Sequence, residues 1–340
     1  MKTRILILSF LVAAQTSFCQ LELQNMNLLK FEELANLSKR PLIIVEYTEA
    51  RIRSNDLQRS LSKSKGEVLE RAQKYNEDLL AADKTMKDHF LSIVKENWKF
   101  NDLNAVKVLS FEDARKIAVS KSEEYCYVYL RSFGEEHNYM AMNITGEVNG
   151  SVTIPVMVLQ GSEHFGSSKN YFGFPLMNST DGRAVLKQDI EITLKIMNQY
   201  VTDALKSGEQ LKTREFVGNQ IVENCNLKRD LTLHVNQEFI NDLGEEKIAA
   251  AWQGKASVQP QAEFISSYSS SSDDAFAILI PMAVATGSMG PLTKTSTVYG
   301  RLAVQTSTGK ILGFSKSKMG QKLAEENFNE GHFTDMGECE

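Results

Sequence analysis

The stretch Gly161-Ser162-Glu163-His164-Phe165-Gly166-Ser167-Ser168 sets a serine, a carboxylate and a histidine in succession between two glycines. These are the residue types of a hydrolytic triad and of a phosphate loop. Neither chemistry survives the spacing. A phosphate loop needs a lysine after its second glycine and a helix N-terminus behind it. Here Ser167 follows Gly166, and the flanking runs read as strands. Consecutive residues of an extended chain point in alternating directions, so adjacency alone builds no triad. A hairpin loop is the better reading. Gly287-Ser288-Met289-Gly290 likewise lacks the spacing of a nucleophile elbow.

The remaining reactive types are scattered. Histidines stand at 89, 137, 164, 234 and 332, with no HExxH and no closely spaced pair for zinc. His234 lies inside a strand-like run and reads as a core or sheet-face residue, and His89 as a boundary residue beside a helical stripe. The acidic pairs Glu123-Glu124 and Asp273-Asp274 occupy matched places just before two strands, where solvated turns outweigh calcium or acid–base chemistry. Glu330, His332, Asp335, Glu338 and Cys339 could gather a metal, but a flexible acidic terminus is the default. No catalytic, cofactor-binding or metal-ligating residue is assigned, and no cofactor is expected.

The chain's 340 residues allow two ordinary domains, and 42% hydrophobic with 24% charged residues is the balance of a globular protein with a core. A net charge of −5 argues against nucleic acid as a partner. Lys2 and Arg4 precede the apolar run Ile5–Ala14, which is too short to anchor in a bilayer, and small residues follow. That is a signal peptide over residues 1–19, with Gln20 as the mature start and no transmembrane helix in the mature form. The rival, lipidation of Cys19, meets a bulky Phe18 where a small residue is wanted. Cys126, Cys225 and Cys339 then remain. Cys126 alternates with tyrosines as a buried hydrophobe, and Cys225 with Cys339 could pair in an oxidising compartment.

The elements repeat. Ser110–Leu130 and Pro260–Ile280 share an order of capped start, short amphipathic helix, acidic turn and apolar strand, read without a gap at an offset of 150 (275 − 125). Pro41–Val45 and Leu231–Val235 are strands following Lys-Arg pairs at an offset of 189 (228 − 39). Trp98 and Trp252 are 154 apart, so the first half carries 35 extra residues (189 − 154). They form most of a helical insertion over residues 51–97, whose apolar stripe runs through Val68, Ala72, Tyr75, Leu79, Ala82, Met86 and Ile93, with Phe90 close by. Ser110 with Asp113 makes an N-cap and N3 pair. Val152, Ile154, Val156 and Val158 match Val298, Gly300, Leu302 and Val304 at an offset of 146 (298 − 152), and Phe172–Phe174 matches Leu312–Phe314. Leu186, Ile190, Leu194, Met197, Val201 and Leu205 mark one side of a helix that ends at the C-cap Gly208.

The expected fold is therefore α/β (α+β): two tandem βαβαββ-type modules, each a mixed sheet with helices packed on it. The first module spans residues 20–178, the connecting helix 179–208, the second module 209–320 and an acidic C-terminal tail 321–340. A weak helix is expected near Lys318–Phe328.

This element order resembles the small modules of bacterial envelope proteins, such as the N-terminal domain of TolB and the outer-membrane activators of cell-wall synthesis. Through Tyr75-Asn76 and Trp98–Asn101 the first module is also similar to exported Gram-negative proteins of uncharacterised role. The resemblance implies a periplasmic or secreted envelope protein and carries over no functional residue.

The expected function is a non-enzymatic binding or assembly module for a protein or cell-wall partner. The alternative is a secreted hydrolase with dispersed residues, for which a cleft lined by His164 and acidic residues of both modules would speak. N-terminal sequencing of exported protein should begin at Gln20, and a lipid on Cys19 would contradict that start.

Overall fold

The computed structural model describes residues 29–46, 89–101, 106–120, 125–134, 153–167, 170–178, 185–289, 292–315 and 327–339, with Lys65, Gly66, Glu70, Gln73 and Glu77. The signal peptide, Cys19, His137, Glu123-Glu124 and the stripe from Val68 to Met86 lie outside these residues. So does most of the Lys318–Phe328 segment.

The first sheet holds β1 (Leu42–Val45), β2 (Lys107–Leu109), β3 (Cys126–Gly134), β4 (Thr153–Gly161) and β5 (Tyr171–Pro175) in the order β2-β1-β3-β4-β5. The second holds β6 (Thr232–Asn236), β7 (Lys255–Gln259), β8 (Ala275–Met289), β9 (Leu292–Gln305) and β10 (Ile311–Ser315) in the matching order β7-β6-β8-β9-β10. In each, the first three strands are parallel and the last two antiparallel. β1 is buried at every position, as its unbroken Leu-Ile-Ile-Val run requires of a strand covered on both faces. Two mixed sheets in tandem are the expected α/β architecture. The added length also falls where expected: Ile44 precedes its sheet partner Val108 by 64 residues (108 − 44), Val235 its partner Val258 by 23 (258 − 235).

The helices are α1 (Phe31–Leu37), α2 (residues 89–97), α3 (Phe111–Ser120), α4 (Lys187–Ser207), α5 (Thr213–Asn224), α6 (Glu245–Trp252), α7 (Gln261–Ser269) and α8 (Glu330–Gly337). Their ends follow local chemistry. Ser110 Oγ accepts the Asp113 amide at the start of α3, as its spacing predicts. Gly208 ends α4 in the left-handed region at φ +73°, where a side chain would be strained. Gly309, at φ +75°, turns the β9–β10 hairpin against α4, and a Cβ there would sit 2.6 Å from the Lys195 Cβ. Trp98 and Trp252 are buried at the ends of α2 and α6, equivalent corners of the repeat.

Register corrects the gap-free echo. Tyr127 pairs with Ile43 and carries α3 on its face through Phe165, whose ring centroid lies 4.5 Å from it. Phe276 pairs with His234 and carries α7 through Phe264 and Tyr268. Tyr127 therefore corresponds to Phe276, an offset of 149 (276 − 127), while the helices keep 150 (261 − 111). The acidic turn is one residue shorter in the second module. A slip of one reverses the face of every side chain in a strand, so the ungapped alignment places β8 inside out. β6 corresponds to β1 at 191 (235 − 44) in place of 189, and β9 to β4 at 144 (302 − 158) in place of 146.

The larger correction concerns α4. One apolar side is expected, yet Ile190, Ile192, Leu194, Ile196, Met197, Tyr200 and Val201 are all buried, covering most of its circumference. It is packed between the sheets. On one side Tyr200 stacks on Phe172 of β5, with centroids 4.4 Å apart. On the other Asp189 accepts the Tyr268 hydroxyl of α7 at 2.9 Å. One apolar core runs from the first sheet through α4 to the Phe276, Ile278, Leu302 and Val304 face of the second. A smaller core behind the second sheet joins Leu233, Val235, Ile248, Trp252, Phe333 and Met336.

The acidic tail expected over 321–340 is corrected too. Glu330–Gly337 is helix α8, with Phe333 and Met336 fully buried in that second core. α4 and α8 each follow the last strand of a sheet and lie on the face opposite α3 or α7. They are the closing helix of the repeat.

Ile196→Ala should cost about 2–5 kcal/mol. Because α4 belongs to both sheets, thermal unfolding of wild type and variant should each show one transition by calorimetry. Two separated transitions would contradict the shared core.

Candidate functional site

β4 and β5 are antiparallel neighbours joined through the segment that begins Gly161–Ser167, so the expected hairpin connection is present. Its three reactive side chains diverge. Ser162 is buried and donates to the Tyr125 carbonyl at 3.3 Å and the Tyr127 hydroxyl at 3.4 Å. Glu163 folds back over Gly161, where a Cβ would lie 2.7 Å from its carboxylate, and meets Arg40 at 2.8 Å. His164 Nε2 lies 2.7 Å from the side-chain amide nitrogen of Asn170. Beneath them Phe165 packs among Phe111, Tyr127 and Tyr129, closing the loop over the sheet. Burial raises the Tyr127 hydroxyl and Cys126 thiol, so neither supplies an anion at neutral pH. Each group holds the loop. Arg40, expected only as half of a Lys-Arg pair, is its outer anchor.

The second module contains the one histidine–carboxylate pair among the described residues. His234 Nε2 lies 3.2 Å from Asp274 Oδ2, and the ring stacks on Phe276 at 4.9 Å. Asp274 Oδ1 also accepts the Thr232 amide at 3.2 Å, and its own amide donates to Ser272 Oγ. The preceding Asp273 accepts the Ser307 hydroxyl at 2.6 Å. With Asp274 on Nε2, the His234 Nδ1 is left buried with no partner among the described residues. A general base needs a nitrogen facing its substrate. This imidazole spends one nitrogen on Asp274 and turns the other into the sheet, so the pair stitches β6 to the start of β8. Sequence placed both residues in the right elements but did not reveal that these strands are neighbours, which was the signal needed.

Among the described residues no three His, Cys, Asp or Glu side chains could hold a metal ion. The tail residues have other tasks. His332 Nδ1 accepts the Asn329 amide, Asp335 accepts the Ser315 hydroxyl at 2.7 Å, and Cys339 is disulfide-bonded to Cys225 with Cα atoms 5.7 Å apart.

Lys228 is the group that sequence reasoning passed over. It is 3% exposed, and its ammonium donates to the carbonyls of Met336 at 2.9 Å, Gly337 at 3.4 Å and Glu338 at 2.8 Å. It also lies 5.3 Å above the Trp252 ring. Three carbonyls at a helix C-terminus are what a cation satisfies. No motif announces it, since the three acceptors are backbone atoms more than 100 residues away.

No helix among the described residues is long and apolar enough to cross a membrane. The chain matches no family model, no curated protein and no solved structure.

Lys228→Met should destabilise the fold by about 1–3 kcal/mol, the cost of leaving buried carbonyls unsatisfied. Burial lowers the Lys228 pKa from 10.5 to about 8. Between these values the unfolded chain binds more protons than the folded one, so stability due to this group rises with pH. Urea melts should therefore show a larger gap between wild type and variant at pH 10 than at pH 7. An unchanged gap would contradict a charge-burial cost at Lys228.

Proposed function

We propose that the chain is an exported envelope protein, periplasmic or secreted, acting as a non-enzymatic binding or assembly module for a protein or cell-wall component. The observation that carries this reading is the employment of the reactive side chains. Ser162, Glu163, His164, Asp273 and Asp274 each bond to a neighbour that holds a turn or a strand end. Groups so engaged are scaffold. Export is supported by the joining of Cys225 to Cys339, since such bonds persist in oxidising compartments and are rare in reducing ones. The resemblance to small envelope modules, in strand and helix order, points the same way.

The secreted-hydrolase alternative has one observation in its favour, the His234–Asp274 pair. Its buried Nδ1 speaks against it.

Two measurements test the proposal. In intact cells, Cys225 and Cys339 should resist alkylation unless first reduced, whereas a chain lacking residues 1–19 should be alkylated readily. Purified wild-type protein should leave ester and cell-wall substrates intact. Hydrolysis abolished by His234→Phe or His164→Ala would overturn the binding reading, and readily alkylated cysteines in wild-type cells would overturn export.

A further inference from the structure

The short turn Cys225–Arg229 receives the end of the chain twice. Cys225 bonds to Cys339, and three residues later Lys228 holds the carbonyls of Met336, Gly337 and Glu338. Both anchors grip the same end of α8. The fit there is tight at the backbone. A Cβ on Gly313 of β10 would sit 2.2 Å from the Met336 carbonyl, and one on Gly337 would sit 2.5 Å from the Ala251 carbonyl. α8 therefore docks in close backbone contact with β10 and α6, and a side chain at either glycine would push it away.

We propose that the Cys225–Cys339 disulfide is the closing latch of the second module: α8 docks in the oxidised chain and is released in the reduced one. The helix has eight residues, fewer than the roughly 12–15 that hold a helix alone in water. Its order depends on docking. Docking buries Phe333 and Met336 completely, but it must fix the backbone of the whole element. With β10 in place, the bond closes the 24 residues from Ser315 to Cys339 (339 − 315), and removing it favours the open chain on the order of 10²–10³-fold. Both cysteines are partly exposed, so a small dithiol can reach them. What α8 uncovers on leaving is the apolar surface of Trp252 on α6 and Leu312 on β10.

The chemistry balances as thiol–disulfide exchange. On closing, the two thiols give up two protons and two electrons to a disulfide-bearing oxidant, whose own sulfurs leave as two thiols. Dithiothreitol reverses the step and ends as its cyclic disulfide. The latch concerns the folded chain itself and stands or falls apart from the envelope reading.

Hydrogen exchange on the full chain tests it, with and without dithiothreitol, alongside the Cys225→Ser/Cys339→Ser variant. Reduction should speed exchange of the Glu330–Gly337 amides by roughly 10²–10³-fold while β1, β3 and β4 keep their protection, and the double variant should match the reduced chain. Lys228→Met in the oxidised chain should leave α8 protected. Three results would each overturn the proposal: protection of α8 unchanged on reduction, loss of protection throughout the first sheet at the same rate, or no disulfide in the mass spectrum of air-oxidised protein.

Discussion

Helix α4 keeps one polar stripe toward solvent, through Lys187, Thr202 and Lys206, and both sheets are built against the rest of it. The polar groups on its covered sides need partners inside the fold, and apart from Gln199 Oε1 they find them among the described residues. Asp189 does so at its start with the Leu186 amide and the Tyr268 hydroxyl. Thr193 accepts from the Met177 amide and donates to the Asp189 carbonyl. Gln188 reaches the Thr306 carbonyl across the module boundary. Asn198 ties α4 to the end of α2, accepting the Lys99 amide and donating to the Asn97 carbonyl. These bonds fix the rotation of α4, and that rotation sets how the second sheet sits over the first.

The parts of this fold that were legible in sequence share a cause: they follow from patterns local to one element. The Leu42–Val45 run, the Ser110 cap and the C-cap at Gly208 need no distant partner to be read. Duplication was legible because element order survives drift in identity. The face of β8 was not, because one residue lost from a polar turn leaves no trace in composition while reversing the strand. The environment of α4 was also hidden. Ile192, Ile196 and Tyr200 lie off the expected stripe, and their burial depends on a second sheet arriving on that side. At the candidate sites the limit was similar. His234 and Asp274 were each placed, but their pairing depends on strand neighbours, and Lys228 answers only to backbone carbonyls.

The modules stack head to tail. The first presents the face of its closing helix α4, and the second receives it on the face of α7, so different surfaces meet. Such heterologous contacts do not close on themselves and can in principle continue. Here the two ends are polar. α3 exposes Glu112, Asp113, Arg115 and Lys116 on the first outer face. On the last, α6 exposes Glu245, Glu246 and Lys247, while α8 exposes Glu330 and Thr334. Bringing either surface against an apolar neighbour would strand unpaired charges, as at the polar outer faces of capping units in repeat arrays.

The double burial of α4 also bears on how such a chain can emerge. Synthesis delivers the N-terminal half first, with α4 at its trailing end. At that moment the first sheet has a lid whose outer surface is still apolar, awaiting strands not yet delivered. The first module is thus complete in topology before it is complete in solvation, an interval in which a chaperone or a neighbouring chain would find α4 open. The same asymmetry ties each half to the other: parted from its neighbour, either would show water an apolar surface that now packs across α4.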